Sequence, residues 1–229
     1  MLARNRLAHR GFTLVEVMVA VAILAILAML AATFMVFGTG RARLNNAAFE
    51  VTAMLSVAQI RATSTGVPHY AVFFQEGARA GVYLLERADD PLAPVDWKTA
   101  DLTNALEKVG GTVRDRILLA TSDTAAVDFA VLDSATLPIS ALPEPFAAIP
   151  LTPGGSSTPL AKACSFCVAG GVGGTRGVLR FNPDGTVRVM TTQAPGGGVI
   201  ALTPNTEQQR NLHTRLVVIS APAGVFRVF

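Results

Sequence analysis

The stretch Gly11-Phe12-Thr13-Leu14-Val15-Glu16-Val17-Met18 decides how this chain is organised. It opens an apolar run that reaches Phe37, and no charged residue occurs from Val17 to Gly40. Glu16 is therefore a lone charge in a segment otherwise suited to lipid. A carboxylate at the centre of a membrane helix costs roughly 2.5–3.5 kcal/mol on insertion scales, so a functional role is its default reading. The run from Phe12 to Phe37 has 26 residues, about 39 Å of helix at 1.5 Å per residue. That exceeds the roughly 30 Å of a bilayer core. A secretory signal would instead have an apolar stretch of about 7–15 residues and a small-residue cleavage site after it. Arg4, Arg6 and Arg10 precede the run, and basic flanks of this kind stay on the cytoplasmic side.

Downstream of the run, Leu44, Ala48, Val51, Leu55, Ala58 and Ala62 recur at spacings of four and three. This is the apolar stripe of a helix, and its small residues would let a sheet pack closely. Gly66 is the expected C-cap, and Pro68 follows just beyond it. The pattern then turns to strands. Residues 69–74 and 81–86 read as an antiparallel pair, and 117–120 and 127–132 as further strands. Residues 137–160 contain six prolines and read as an irregular loop. Residues 177–181 and 186–190 flank Asn182-Pro183-Asp184-Gly185, where proline presets the turn and glycine supplies positive φ, so a hairpin is expected. Residues 216–220 and 225–229 read as a last pair. The glycine clusters 170–174 and 196–198 read as flexible connections.

The chemistry-bearing residues are few. Cys164 and Cys167 admit a local disulfide, free thiols, or a metal or redox site. Zinc usually takes four ligands, and no second cysteine pair exists. The pair also lacks the βαβ setting of a redox Cys-x-x-Cys motif. A disulfide is favoured if the domain faces an oxidising compartment. His69 and His213 read as strand-surface or internally satisfied histidines, and Trp97 as core. Gly170–Gly174 lacks the Gly-Lys-Ser/Thr ending of a phosphate loop. No nucleophile–base arrangement stands out, so no enzymatic activity, cofactor or metal is expected.

Gly11-Phe12 and Glu16, with the basic leader before them and the long apolar helix after, resemble the N-terminal motif of type IV prepilins and type II secretion pseudoprepilins. The resemblance implies that a prepilin peptidase cuts between Gly11 and Phe12 and methylates the new amine of Phe12. It also implies that Glu16 serves assembly by compensating that amine in an apolar filament core. Leu55–Ala62 with Gly66-Val67-Pro68, and Phe181-Asn182-Pro183-Asp184-Gly185, are similar to GspH/FimT-type minor pilins. The chain departs from common pilin patterns at Thr33, where many have proline, and at Ala25, where many have glycine.

The expected architecture is therefore α+β: a leader at 1–11, a transmembrane or filament-core helix at 12–40, a helix packed on the globular domain at 41–66, and a β-rich pilin domain at 67–229. The expected role is that of a minor pilin or pseudopilin in a type IV pilus or type II secretion pseudopilus, acting in initiation, at the tip or in DNA uptake. The implied partners are the prepilin peptidase, the other pilins or pseudopilins, and the inner membrane. The implied location is a single-pass inner-membrane anchor with a cytoplasmic N-terminus and a periplasmic domain, then the filament. The alternative is a membrane-anchored module of a competence system that binds DNA or another ligand. DNA-binding relatives carry a Gly-Arg-x-Arg pattern near the C-terminus, whereas Gly224-Val225-Phe226-Arg227 has a single arginine.

Cleavage after Gly11 would remove three arginines and leave 16 basic against 16 acidic residues. The apparent basicity thus belongs to the leader, and the mature chain is not a generally basic nucleic-acid binder. Its charge is uneven, however. Residues 76–144 hold 6 basic and 12 acidic residues, and 162–229 hold 7 and 2, so a local basic surface in the last third is one reading and scattered solvent-face charges the other.

Overall fold

The apolar run and the four-three stripe lie on one helix, α1 (Leu14–Thr65). This computed structural model describes residues 13–76, 79–88, 95–97, 111–120, 127–133, 137, 142–169, 174–191, 196–205 and 213–229, with the backbone alone for 32–39, 76 and 120. Contacts divide the chain into two units, Met1–Thr39 and Gly40–Phe229. In the first, every described side chain from Leu14 to Ala31 is exposed. In the second, all six stripe residues are at most 1% exposed. The helix ends where expected: Gly66 takes φ 70° and its N–H donates to the Ala62 carbonyl at 3.1 Å.

The remainder of the second unit is antiparallel sheet. After α1 come β1 (His69–Glu76), β2 (Arg79–Glu86), β3 (Thr112–Ala120) and β4 (Val127–Phe129), then the short helix α2 (Pro159–Ala163). β5 (Val168–Ala169), β6 (Thr175–Phe181), β7 (Val187–Val189), β8 (Gly197–Pro204), β9 (Arg215–Ser220) and β10 (Val225–Val228) follow. Among the described residues these form two sheets. One has the order β3-β2-β1-β6-β5, with β7 also on β6, and the other has the order β10-β9-β8-β4.

The alternation of side chains along the strands sorts the core. Ala71, Phe73, Leu84, Leu179 and Phe181 of the first sheet share one cluster with the α1 stripe and with Ile200, Leu202, Val217 and Ile219 of the second. The intervening residues point the other way. Tyr70, Val72, Leu85 and Val178 are covered by Trp97, which stacks on Tyr70 at 4.7 Å. Val199, Ala201, Leu216 and Val218 are covered by Leu132, Leu142, Phe146 and Ile149. Strands buried on both faces read as continuous apolar runs, and β8 is buried along its whole length.

Four readings need correction. Residues 196–198 are not a flexible connection, because Gly197 and Gly198 begin β8. A Cβ on Gly198 would lie 2.2 Å from the Phe166 ring, so glycine serves close approach there. The proline-rich loop does not run through to Leu160. Thr158 and Pro159 start α2, with the Ala161 N–H donating to Thr158 Oγ1 at 3.2 Å. β4 ends at Phe129 rather than at residue 132: Ala130 still gives its N–H to Ala201 of β8, but Leu132 gives its N–H to Lys162, away from that ladder. β3 begins at Thr112, five residues before the expected start, where polar residues hid the strand on its exposed part. The expected connection at 170–174 lies outside the described residues except for Gly174.

The Asn182–Gly185 hairpin joins β6 and β7. Gly185 has φ 83°, and its N–H donates to the Asn182 carbonyl at 2.9 Å. Asp184 accepts from the Thr186 N–H and hydroxyl, and the hydroxyl bond is the main cause that lowers its carboxyl below the usual value.

Candidate functional site

Thr13 and Glu16 build the start of α1. The Thr13 N–H and hydroxyl both donate to Glu16 Oε2 at 3.4 Å, and the Glu16 N–H donates to Thr13 Oγ1 at 3.3 Å. A threonine followed three residues later by glutamate is the capping-box pattern, in which each side chain serves the other's orphan backbone donor. The carboxylate also sits at the positive end of the helix dipole. The spacing that reveals this was present in the sequence, yet reading Glu16 for its charge alone passed over Thr13. Gly11 and Phe12 lie outside the described residues.

Leu14–Ala31 has a mean hydropathy of 2.8 and is long and apolar enough to cross a membrane. Leu14 and Met29 are 76% and 77% exposed, so this surface has no cover within the described chain. Water is a poor solvent for it, at roughly 25 cal/mol per Å² of apolar area. Lipid or other apolar helices would remove that cost.

Cys164 and Cys167 are bonded to each other, with Cα atoms 5.4 Å apart and both residues fully buried. Their work is visible in Phe166 between them. Its ring meets Phe73 edge-on at 5.4 Å and packs on Gly177 and Gly198, one from each sheet. The Ser165 N–H donates to the Val199 carbonyl, and Thr191 Oγ1 donates to the Phe166 carbonyl at 2.6 Å. The bridged loop thus plugs an aromatic ring between the sheets.

His69 is fully buried, with Nδ1 2.9 Å from the Val67 carbonyl and Nε2 3.5 Å from Glu86 Oε2. Arg114 Nε donates to the same carboxylate at 2.7 Å, and this bond is the largest influence lowering the Glu86 carboxyl. The trio ties β1, β2 and β3 together. His213 is half-buried, and its carbonyl accepts from Thr203 Oγ1. No group of three or more His, Cys, Asp or Glu side chains suited to a metal occurs among the described residues.

Residues 6–32 match the model of the prokaryotic N-terminal methylation motif. The match takes in Gly11, Phe12 and Glu16 and supports a type IV prepilin-like family. An apolar N-terminal helix followed by an antiparallel sheet domain is the α+β arrangement that such a family calls for. The motif further supports a pilin or pseudopilin precursor, processed by a prepilin peptidase, anchored by its helix and assembled with other pilins. No curated protein sequence and no solved structure gives a significant match to the chain.

Proposed function

We propose that the protein is a minor pilin or pseudopilin of the GspH/FimT type, built into a type IV pilus or a type II secretion pseudopilus. Its role is structural rather than enzymatic: initiation of the filament, formation of its tip, or DNA uptake. The observation that carries this reading is the bare apolar surface from Leu14 to Ala31 with a single carboxylate, Glu16, at its start. After cleavage at Gly11, that carboxylate stands four residues along the sequence from the new amine of Phe12. Opposite charges compensate each other in an apolar filament core, where either alone would be costly. The globular domain, on this reading, lies in the periplasm before assembly.

Shearing filaments from cells and probing them for this chain tests the proposal. Processed protein should be present in substoichiometric amounts beside a major subunit. Processed protein confined to the membrane, with no crosslink to any other pilin-type chain, would refute it.

A further inference from the structure

A groove of about 450 Å³ lies between the second half of α1 and the last strand. Asn45, Phe49 and Thr52 form its helical wall, one line on the helix at spacings of four and three. Phe226, Arg227 and Val228 of β10 form the opposite wall, and Arg215 completes the lining. None of these residues is acidic. Arg215 is steered by Asn45, whose Oδ1 accepts from its Nε at 2.8 Å. Arg227 is exposed, and its side chain makes no hydrogen bond or ion pair with the described residues. Phe49 is 63% exposed although it borders this hollow.

β10 is an end strand of its sheet and pairs with β9 alone among the described strands. Phe226 and Val228 lean on the main core, while Val225 and Arg227 face outward. An edge of this kind leaves backbone N–H and C=O groups open to a further strand. Natural edges are blunted by shortness, charged side chains, proline, bulges or a covering element; β10 is four residues long and carries one charge, Arg227, but has neither proline nor a register shift.

We propose that this groove is a strand-addition site for an extended segment of another polypeptide, one in which an acidic residue stands beside apolar ones. The backbone of the segment pairs with β10. Its acidic side chains meet Arg227 on the outward face, and its apolar side chains rest on Phe49 and Phe226 on the opposite face, where Arg215 also lies. Main-chain pairing gives such sites affinity, and side-chain contacts give them selectivity. The selecting feature is charge complementarity: the lining residues include the exposed Arg227 and no carboxylate side chain. The proposal rests on the groove and not on the prepilin reading, so either can fail alone.

The test uses the full chain in detergent micelles and a labelled pentapeptide, acetyl-Val-Asp-Val-Asp-Val-amide, followed by fluorescence anisotropy. Comparison peptides carry lysine for aspartate, or N-methyl groups on alternate backbone amides. The acidic peptide should bind, and the lysine peptide at least about tenfold more weakly, as a charge-assisted contact requires. N-methylation should abolish binding. Arg227→Glu should reverse the charge preference, and Phe49→Ser should weaken binding of the acidic peptide. Equal binding of both charge types, indifference to Arg227→Glu, or no peptide binding at all would overturn the site. Displacement of the acidic peptide by oligothymidylate would give the groove to nucleic acid instead. Self-association lost in Arg227→Glu, without peptide binding, would give it to a second copy. Either result also overturns the proposal.

Discussion

Glu16 carries two separable duties, and two substitutions tell them apart. Glu16→Gln keeps an oxygen that can accept from the Thr13 N–H and so retains the cap, while it removes the charge. Glu16→Leu removes both. If the charge serves assembly, both variants should be cleaved and inserted normally, and both should be depleted from filaments by a similar factor. An uncompensated buried charge is expected to cost roughly 3–5 kcal/mol. Wild-type incorporation of Glu16→Gln would show that the cap, and not the charge, is what assembly needs. Gly198 gives a second residue-scale prediction. Its added Cβ would press on the Phe166 ring at 2.2 Å, and that ring is fully buried between the sheets. Gly198→Ala should therefore lower stability by about 1–3 kcal/mol, the usual range for overpacking, seen as a reduced thermal midpoint. An unchanged midpoint would mean that the Cys164–Cys167 loop yields more easily than its burial implies.

Among the elements, α1 was the most legible, because its stripe obeys the helical period. Ala58 and Ala62 are fully buried in the core that α1 shares with both sheets. Ala58→Leu should force the helix away from the sheets and cost about 1–3 kcal/mol, measured by chemical denaturation with the denaturant slope unchanged. Stability equal to wild type would show slack in that contact. The Asn182–Gly185 hairpin was legible for a related reason, since its turn chemistry is local. β8 was not, because glycines at its start suggested mobility, whereas they make room for a ring from a distant loop. α2 was hidden among prolines, although Thr158-Pro159 is itself a helix-start pattern. The groove beside β10 could not be read from sequence at all. It brings Asn45 together with Arg215, 170 residues apart, and no local periodicity reports such a meeting. Gly11, Phe12 and Glu16 could be singled out because they lie within six residues of one another, and the match over residues 6–32 includes that stretch.

At the scale of the whole molecule, two units divide between two solvents. The first presents an apolar helix with no buried side chain among its described residues from Leu14 to Ala31, and the second closes its own cores. Residues 40–229 should therefore fold without the anchor and give dispersed amide resonances in plain buffer. Aggregation of that fragment under non-denaturing conditions would show that the anchor helix contributes to the fold. The central claim is that the chain is a prepilin-type precursor whose helix is released for assembly by a cut at its cytoplasmic end. Intact-mass measurement on protein purified from membranes with an active prepilin peptidase tests it most directly. The expected species is a chain of 218 residues beginning at Phe12, with one amine hydrogen replaced by methyl, so heavier than the unmodified 218-residue chain by one CH2. A mass that retains Met1–Gly11, or a cut on the far side of the apolar run, would contradict it.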